Sequence, residues 1–231
     1  MGNCLNNCGV SPSSNGVSHT HVTKLTIKQA NQQCPQIHVT LLRPEDILCI
    51  RESWHKMNNN DGTIGPTILL KVFEAEPKLK ASFKLQDVPN TQLQHCEAFK
   101  KHAEAWNSFL NSITGYVGEP DAERQLYSIA RRVAHIHAAR ARQDATLFNS
   151  EYWMIFAQIA ADTIVEIYAN CGMFRKSDKA LLQLRHAWLM LFMRIVMDMT
   201  VIFYNVLRQD DRKHDAAEAN DENENNSSAA G

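Results

Sequence analysis

Apolar residues recur at three- and four-residue spacing along most of this chain, and no stretch alternates apolar with polar at period two. The pattern predicts an all-α fold. A first helix starts near Pro44, with Glu45 and Asp46 in its opening turn and Ile47, Ile50, Trp54 and Met57 on one face. The run Asn58 to Gly62 breaks it. A second helix, about Ile64 to Glu76, carries Ile68, Leu69, Val72 and Phe73, and Pro77 ends or redirects it into a short turn reaching Phe83. The segment 84–90 reads as loop, with a helix start at Pro89-Asn90-Thr91. From there Phe99, His102, Ala103, Trp106, Phe109, Leu110 and Ile113 form one stripe, stopped by Gly115 and Gly118.

Pro120 opens the next helix, with Asp121 and Glu123 at its N-terminus. Its apolar residues Leu126, Ile129, Val133 and Ile136 follow the helical period and predict one buried stripe. His137, four residues after Val133, falls on that stripe, and His135 falls off it. A helix over about Asn149 to Cys171 follows, with Gly172 as its cap, and Ser177-Asp178 caps a long last helix reaching about Arg208.

The ends differ in composition. Residues 1–39 are rich in Asn, Ser, Thr, Gln and His without a sustained period, which predicts a flexible arm. The start, Met1-Gly2-Asn3-Cys4, resembles an N-myristoylation site at Gly2 with a palmitoylation cysteine at Cys4, although Asn6 stands where the usual pattern has Ser or Thr. A single acyl chain binds membrane only marginally, so Cys4 or Cys8 would supply the second anchor. Residues 209–231, rich in Asp, Glu, Asn and Ser, are expected to be disordered, leaving 40–208 as the folded domain.

The 231 residues are 44% hydrophobic, enough for a real core, and a net charge of -1 gives no pull toward nucleic acid. Six cysteines with no CxxC pair predict a reduced, cytosolic setting without a disulfide framework or zinc site. No secretory signal is expected in the polar leader. The stretch Leu189 to Leu207 is the most membrane-like, but Arg194 and Asp198 in its middle would each cost roughly 2.5–3.5 kcal/mol to insert. Four apart on a helix, they can pair instead, so a buried core helix is expected.

A neutral imidazole on an apolar stripe suits axial ligation of haem iron, and equally suits a bond to a backbone carbonyl. The wider set of residues decides between them. Trp54, Gly65 eleven residues on, Pro77 twelve further and Phe83 six further stand in an order and spacing that resembles the globin family over about residues 42–208. Lys100-Lys101-His102, nineteen residues after Phe83, resembles the family's distal-helix motif, and Trp153 and Trp188 resemble those of nematode globins. The resemblance implies haem b as cofactor, His137 as proximal iron ligand, and His102 as distal ligand or ligand gate. It also implies Leu69, Phe83, Phe99, Trp106 and Val133 as pocket residues. One of Arg140 and Arg142 would pair with a haem propionate. His95 shares the helix of His102 but lies too close to Phe83 for the family pattern. Trp106 occupies a position that globins usually give to a smaller side chain, so it would crowd the space of a bound gas.

The function expected is a six-coordinate, bis-histidyl haem protein in electron transfer or redox signalling at the cytoplasmic face of the plasma membrane, or in the cytoplasm if not acylated. Its partners would be membrane lipid, an external electron donor, acceptor or reductase, and a diatomic gas. No Gly-rich dinucleotide motif or flavin domain is evident, and no dedicated enzyme activity is expected. Three alternatives stay open: an oxygen-binding or oxygen-sensing protein, a haemless interaction module in which both histidines are structural, and a small haem enzyme with weak redox activity that draws electrons from an external source.

Overall fold

The computed structural model describes residues 42–57, 62–143, 150–172 and 176–228, with side chains as far as Gln209. The expected arm over 1–39 and the acylation residues Gly2 and Cys4 lie outside the described residues. Helices α1 (Pro44–Met57), α2 (Ile64–Ala75), the single turn α3 (Leu79–Ser82), α4 (Glu97–Tyr116), α5 (Ala122–Gln143), α6 (Glu151–Asn170) and α7 (Asp178–Ser228) follow in order, without strands among the described residues.

The first and last helices start on side-chain bonds. The carboxylate of Asp46 is buried in the first turn of α1, where it accepts from the Arg43 side chain at 2.9 and 3.0 Å and from the Arg43 backbone N–H at 3.1 Å. That guanidinium bond holds the Asp46 carboxyl below its usual range despite burial. At α7 the Ser177 hydroxyl accepts from the Ala180 N–H at 3.3 Å, the expected cap. Gly172 takes the left-handed conformation, φ +85°, just beyond α6.

Three boundaries depart from the sequence expectation. The segment after Pro89 first forms a 3₁₀ turn, Asn90–His95, and α4 starts only at Glu97. Gly115 lies inside the last turn of α4, and Gly118, at φ +89°, makes the actual break. The last helix runs on to Ser228, beyond the end expected near Arg208. Ala216, Ala217 and Ala219 are strong helix formers there, and no Pro or Gly intervenes.

The core gathers around α7, which packs on α5, α6 and α1. By length and composition its Asp178–Gln209 part could cross a membrane, and half of the relevant window is buried within the fold. Trp188, Leu191, Phe192 and Ile195 are inside. Trp188 donates from Nε1 to the Ser53 hydroxyl at 3.0 Å and sits 6.0 Å, ring to ring, from Trp54, joining α7 to α1. Arg194 bonds Asp198 and Glu123, both at 3.0 Å, so its charge is paired on α7 and tied to the start of α5.

The second close approach lies between α2 and α4. A Cβ on Gly65 would stand 2.4 Å from the backbone oxygen of Ala103, so only glycine fits at this crossing. Asn107 locks it: Oδ1 accepts from the Gly65 N–H at 2.7 Å, and Nδ2 donates to the Gly62 carbonyl at 2.6 Å. This crossing sets the height of α4, and with it the position of His102.

Candidate functional site

On α4 the expected stripe is the buried one: Phe99, Ala103, Leu110 and Ile113 face the core. His102 and Trp106 lie at its edge, half-buried. On α5 the expected stripe is corrected. The buried face is Leu126, Ala130, Ala134, Ala138 and Ala141, while Ile129 and Val133 are half-buried and Ile136 is 48% exposed. The cause is α7. Alanines let two helices approach closely, and the seam against α7 uses that small face in place of the bulkier one. His137 therefore sits at the margin of the buried face, half-buried, and His135 is exposed.

The two histidines share one local arrangement. The Nδ1 of His102 lies 2.7 Å from the Ala98 carbonyl, and the Nδ1 of His137 lies 2.8 Å from that of Val133. A carbonyl oxygen only accepts, so Nδ1 carries the proton in each ring. In the neutral ring the lone pair is then on Nε2, the atom that a metal would take. Burial lowers the pKa of His137, opposed by the Val133 bond and assisted by the nearby Arg140 charge. The fold thus favours the neutral, ligating form of that imidazole.

Aromatic rings surround both. Phe83, brought back by the turn at Pro77 and α3, meets the His102 ring edge-on at 4.7 Å. It also contacts Phe73 at 5.1 Å and Phe156 at 6.3 Å. Trp106 lies parallel to Phe156, 5.4 Å apart with planes 6° from coplanar. On the other side His137 meets Trp153 edge-on at 5.7 Å. Of the other expected pocket residues, Leu69 and Phe99 are buried in the core, Phe99 against Phe73 at 6.3 Å. Val133 acts through its backbone oxygen.

His95 ends the 3₁₀ turn and is exposed, which leaves His102 as the inward histidine of that segment. Arg140 is exposed. Sequence reasoning missed Phe156 as a site residue. Its signal was an apolar position three after Trp153 on α6. Among the described residues Cys49 and Cys96 are free thiols, and no cluster of three or more His, Cys, Asp or Glu side chains could hold a bare metal ion.

A helical fold with a histidine on each of two successive long helices, and a phenylalanine from the preceding turn set against the first, defines the globin-like class. The chain belongs to the globin family, whose model matches residues 66–187, more than half of its length. It is similar to the globin-related protein glb-13 of Caenorhabditis elegans, 29% identical over 132 residues. That alignment takes in 56% of this chain and 44% of the relative, so the chain spans less than half of that protein. Among solved structures it is similar to the globin-like protein Glb-12 of C. elegans, with a TM-score of 0.59 and 18% identity, covering 74% of this chain and 93% of that one. A hexa-coordinate hemoglobin of Drosophila melanogaster gives a TM-score of 0.53 at 16% identity, covering 65% of this chain and 94% of that one. At such identities the structures speak for the fold.

Globins normally bind haem, and the donor set fits that group. Two imidazoles with protonated Nδ1 offer Nε2, one of them held neutral by burial, with Phe83 supplying a flat apolar face beside His102.

Proposed function

We propose that the chain is a six-coordinate haem globin in which His137 and His102 are the two axial ligands of haem b, working in one-electron exchange. The observation that carries this is the matched setting of the two imidazoles, each with Nδ1 tied to the carbonyl four residues before it. Haem would supply a one-electron iron couple. The chain's part is to present two neutral imidazoles, to exclude water with Phe83, Trp106 and Phe156, and to hold both histidine-bearing helices in register. Holding the same ligands in both oxidation states keeps reorganisation small, which suits electron transfer better than storage of a gas.

Oxygen binding or sensing is the second reading, and the stacked Trp106 and Phe156 weigh against it. Phe156 packs on Phe83, which packs on His102, so the stack would take up space on that side that a bound gas would need. A gas would enter only after His102 swings away, so the populated fraction of that open state would scale its apparent affinity. Absorption spectra of the purified protein, ferric and ferrous, with and without carbon monoxide, test the proposal. A protein that takes up no haem would return the haemless interaction module.

The membrane part of the proposal rests on Met1-Gly2-Asn3-Cys4 alone. Acylation at Gly2 and Cys4 would place the globin at the cytoplasmic face of the plasma membrane, beside a membrane-bound donor, acceptor or reductase. Metabolic labelling with a myristate analogue tests it: wild type should label and Gly2→Ala should not. An unlabelled wild type would leave a cytoplasmic globin.

A further inference from the structure

The rings on the proximal side form a continuous line from the proposed iron ligand to the surface. His137 meets Trp153 at 5.7 Å with planes 85° apart, Trp153 meets Phe203 at 5.4 Å and 82°, and Phe203 meets Tyr204 at 5.2 Å and 80°. Trp153 and Phe203 are buried, whereas Tyr204 is 44% exposed. Every step is an edge-to-face contact within the range where aromatic side chains touch. The outer ring is also held: the Tyr204 hydroxyl lies 2.8 Å from the Ser150 hydroxyl, at the foot of α6.

We infer that His137, Trp153, Phe203 and Tyr204 are the route by which one electron passes between the haem site and the protein surface on α7. The inference rests on the electron-transfer reading above and names its path. Tunnelling falls off far faster across gaps than through packed matter, and these rings leave no gap. The other side of the site differs. There His102, Phe83, Phe156, Trp106 and Phe109 also touch in sequence, but each ring in that line is only half-buried, and none is an exposed terminus. Its Phe83–Phe156 step is the widest of either line, 6.3 Å. The line through Tyr204 therefore opens where a donor can reach it.

The step balances without bond making. A one-electron donor at the α7 surface is oxidised by one electron, and ferric iron is reduced to ferrous by that electron. The rings act as bridges and end unchanged, with no proton leaving any of them. Positions 197, 201 and 204 share one face of α7, and Met197 and Val201 are exposed beside Tyr204, so position 201 gives access to the mouth of the route.

The test uses the haem-loaded full chain with a ruthenium photosensitiser clicked onto an azido side chain at position 201. A second protein carries it at position 182, where Leu182 is exposed near the start of α7. Flash reduction of the ferric iron from position 201 should slow several-fold in Trp153→Leu and in Tyr204→Leu, and recover in Trp153→Phe. From position 182 the rate should be the same in all of them. Midpoint potential and absorption spectrum, measured on each variant, show whether His137 stayed in place. In the haem-free chain, nuclear Overhauser contacts between the Trp153 indole and the Phe203 ring should be present. Equal rates from position 201 in wild type and both leucine variants, or absent ring contacts, would overturn the route while leaving the electron-transfer reading standing. A wild type that takes up no haem would overturn that reading and the route with it.

Discussion

On α4 large apolar side chains face inward and the close crossing is a single point, Gly65 against Ala103, locked by Asn107. On α5 the inward face is alanine over about three turns, Ala130, Ala134, Ala138 and Ala141, laid along α7 and pinned at its start by Glu123 to Arg194. Both helices carry a histidine bonded to the carbonyl four residues earlier. The difference lies in what stands beyond each ring. His102 looks onto Phe83 within a cluster that includes the Trp106–Phe156 stack, whereas His137 looks onto a line of rings that reaches the exposed Tyr204. One side fills space; on the proposal above, the other would hold the iron and connect it outward.

The strongest way to break this comparison is at the ligands. His137→Ala should abolish or greatly weaken haem retention, read as the haem-to-protein ratio after gel filtration, and His135→Ala should leave it unchanged. Loss of haem in the His135 variant alone would put the proximal position two residues off.

The two crossings come next. Gly65→Ala puts a Cβ against backbone, and Ala134→Leu overfills the α5 seam; each should cost about 1–3 kcal/mol in denaturant unfolding of the haem-free chain. Gly65→Ala should be the worse of the two, because a backbone oxygen cannot rotate away. An Ala134→Leu variant as stable as wild type would mean that α5 is held by something other than its alanine seam.

Proton uptake sharpens the contrast further. Burial lowers the pKa of His137, so the unfolded chain takes up that proton first as the pH falls. The stability tied to His137 is complete above the ordinary histidine range of about 6.5 and declines as the pH drops below it. Thermal unfolding of haem-free wild type and His137→Gln across pH 5 to 8 should show a steeper acid decline in wild type. Parallel curves would contradict a neutral His137 whose pKa is lowered by its surroundings.

The smallest effect falls on the side chain that the periodicity placed inside. Ile136→Ser should change stability by no more than about 0.5 kcal/mol, because Ile136 is exposed. A loss of several kcal/mol would restore the original stripe.

That residue marks where sequence reading ran out. On α4 the inward residues are bulky, so periodicity found them, and His102 and Trp106 at the edge of the stripe with them. On α5 the inward residues are alanines, which weigh little in any hydrophobic pattern, and the larger Ile129, Val133 and Ile136 drew the stripe one position round the helix. His137 kept its place because it borders both faces. Trp54, Gly65, Pro77 and Phe83 were legible because each answers a local demand: a core anchor, a close crossing, a bend and a returned ring. Phe156 and the line from Trp153 to Tyr204 were not, since they join α5, α6 and α7 through contacts that only the tertiary fold creates.

On the proposal above, two histidines hold the iron at rest. The most direct measurement is the ferrous absorption spectrum of wild type beside His102→Leu. Wild type should give a six-coordinate low-spin spectrum, and His102→Leu a five-coordinate, high-spin one with faster carbon monoxide binding. A wild-type ferrous spectrum already five-coordinate and high-spin, and unchanged by His102→Leu, would contradict the proposal.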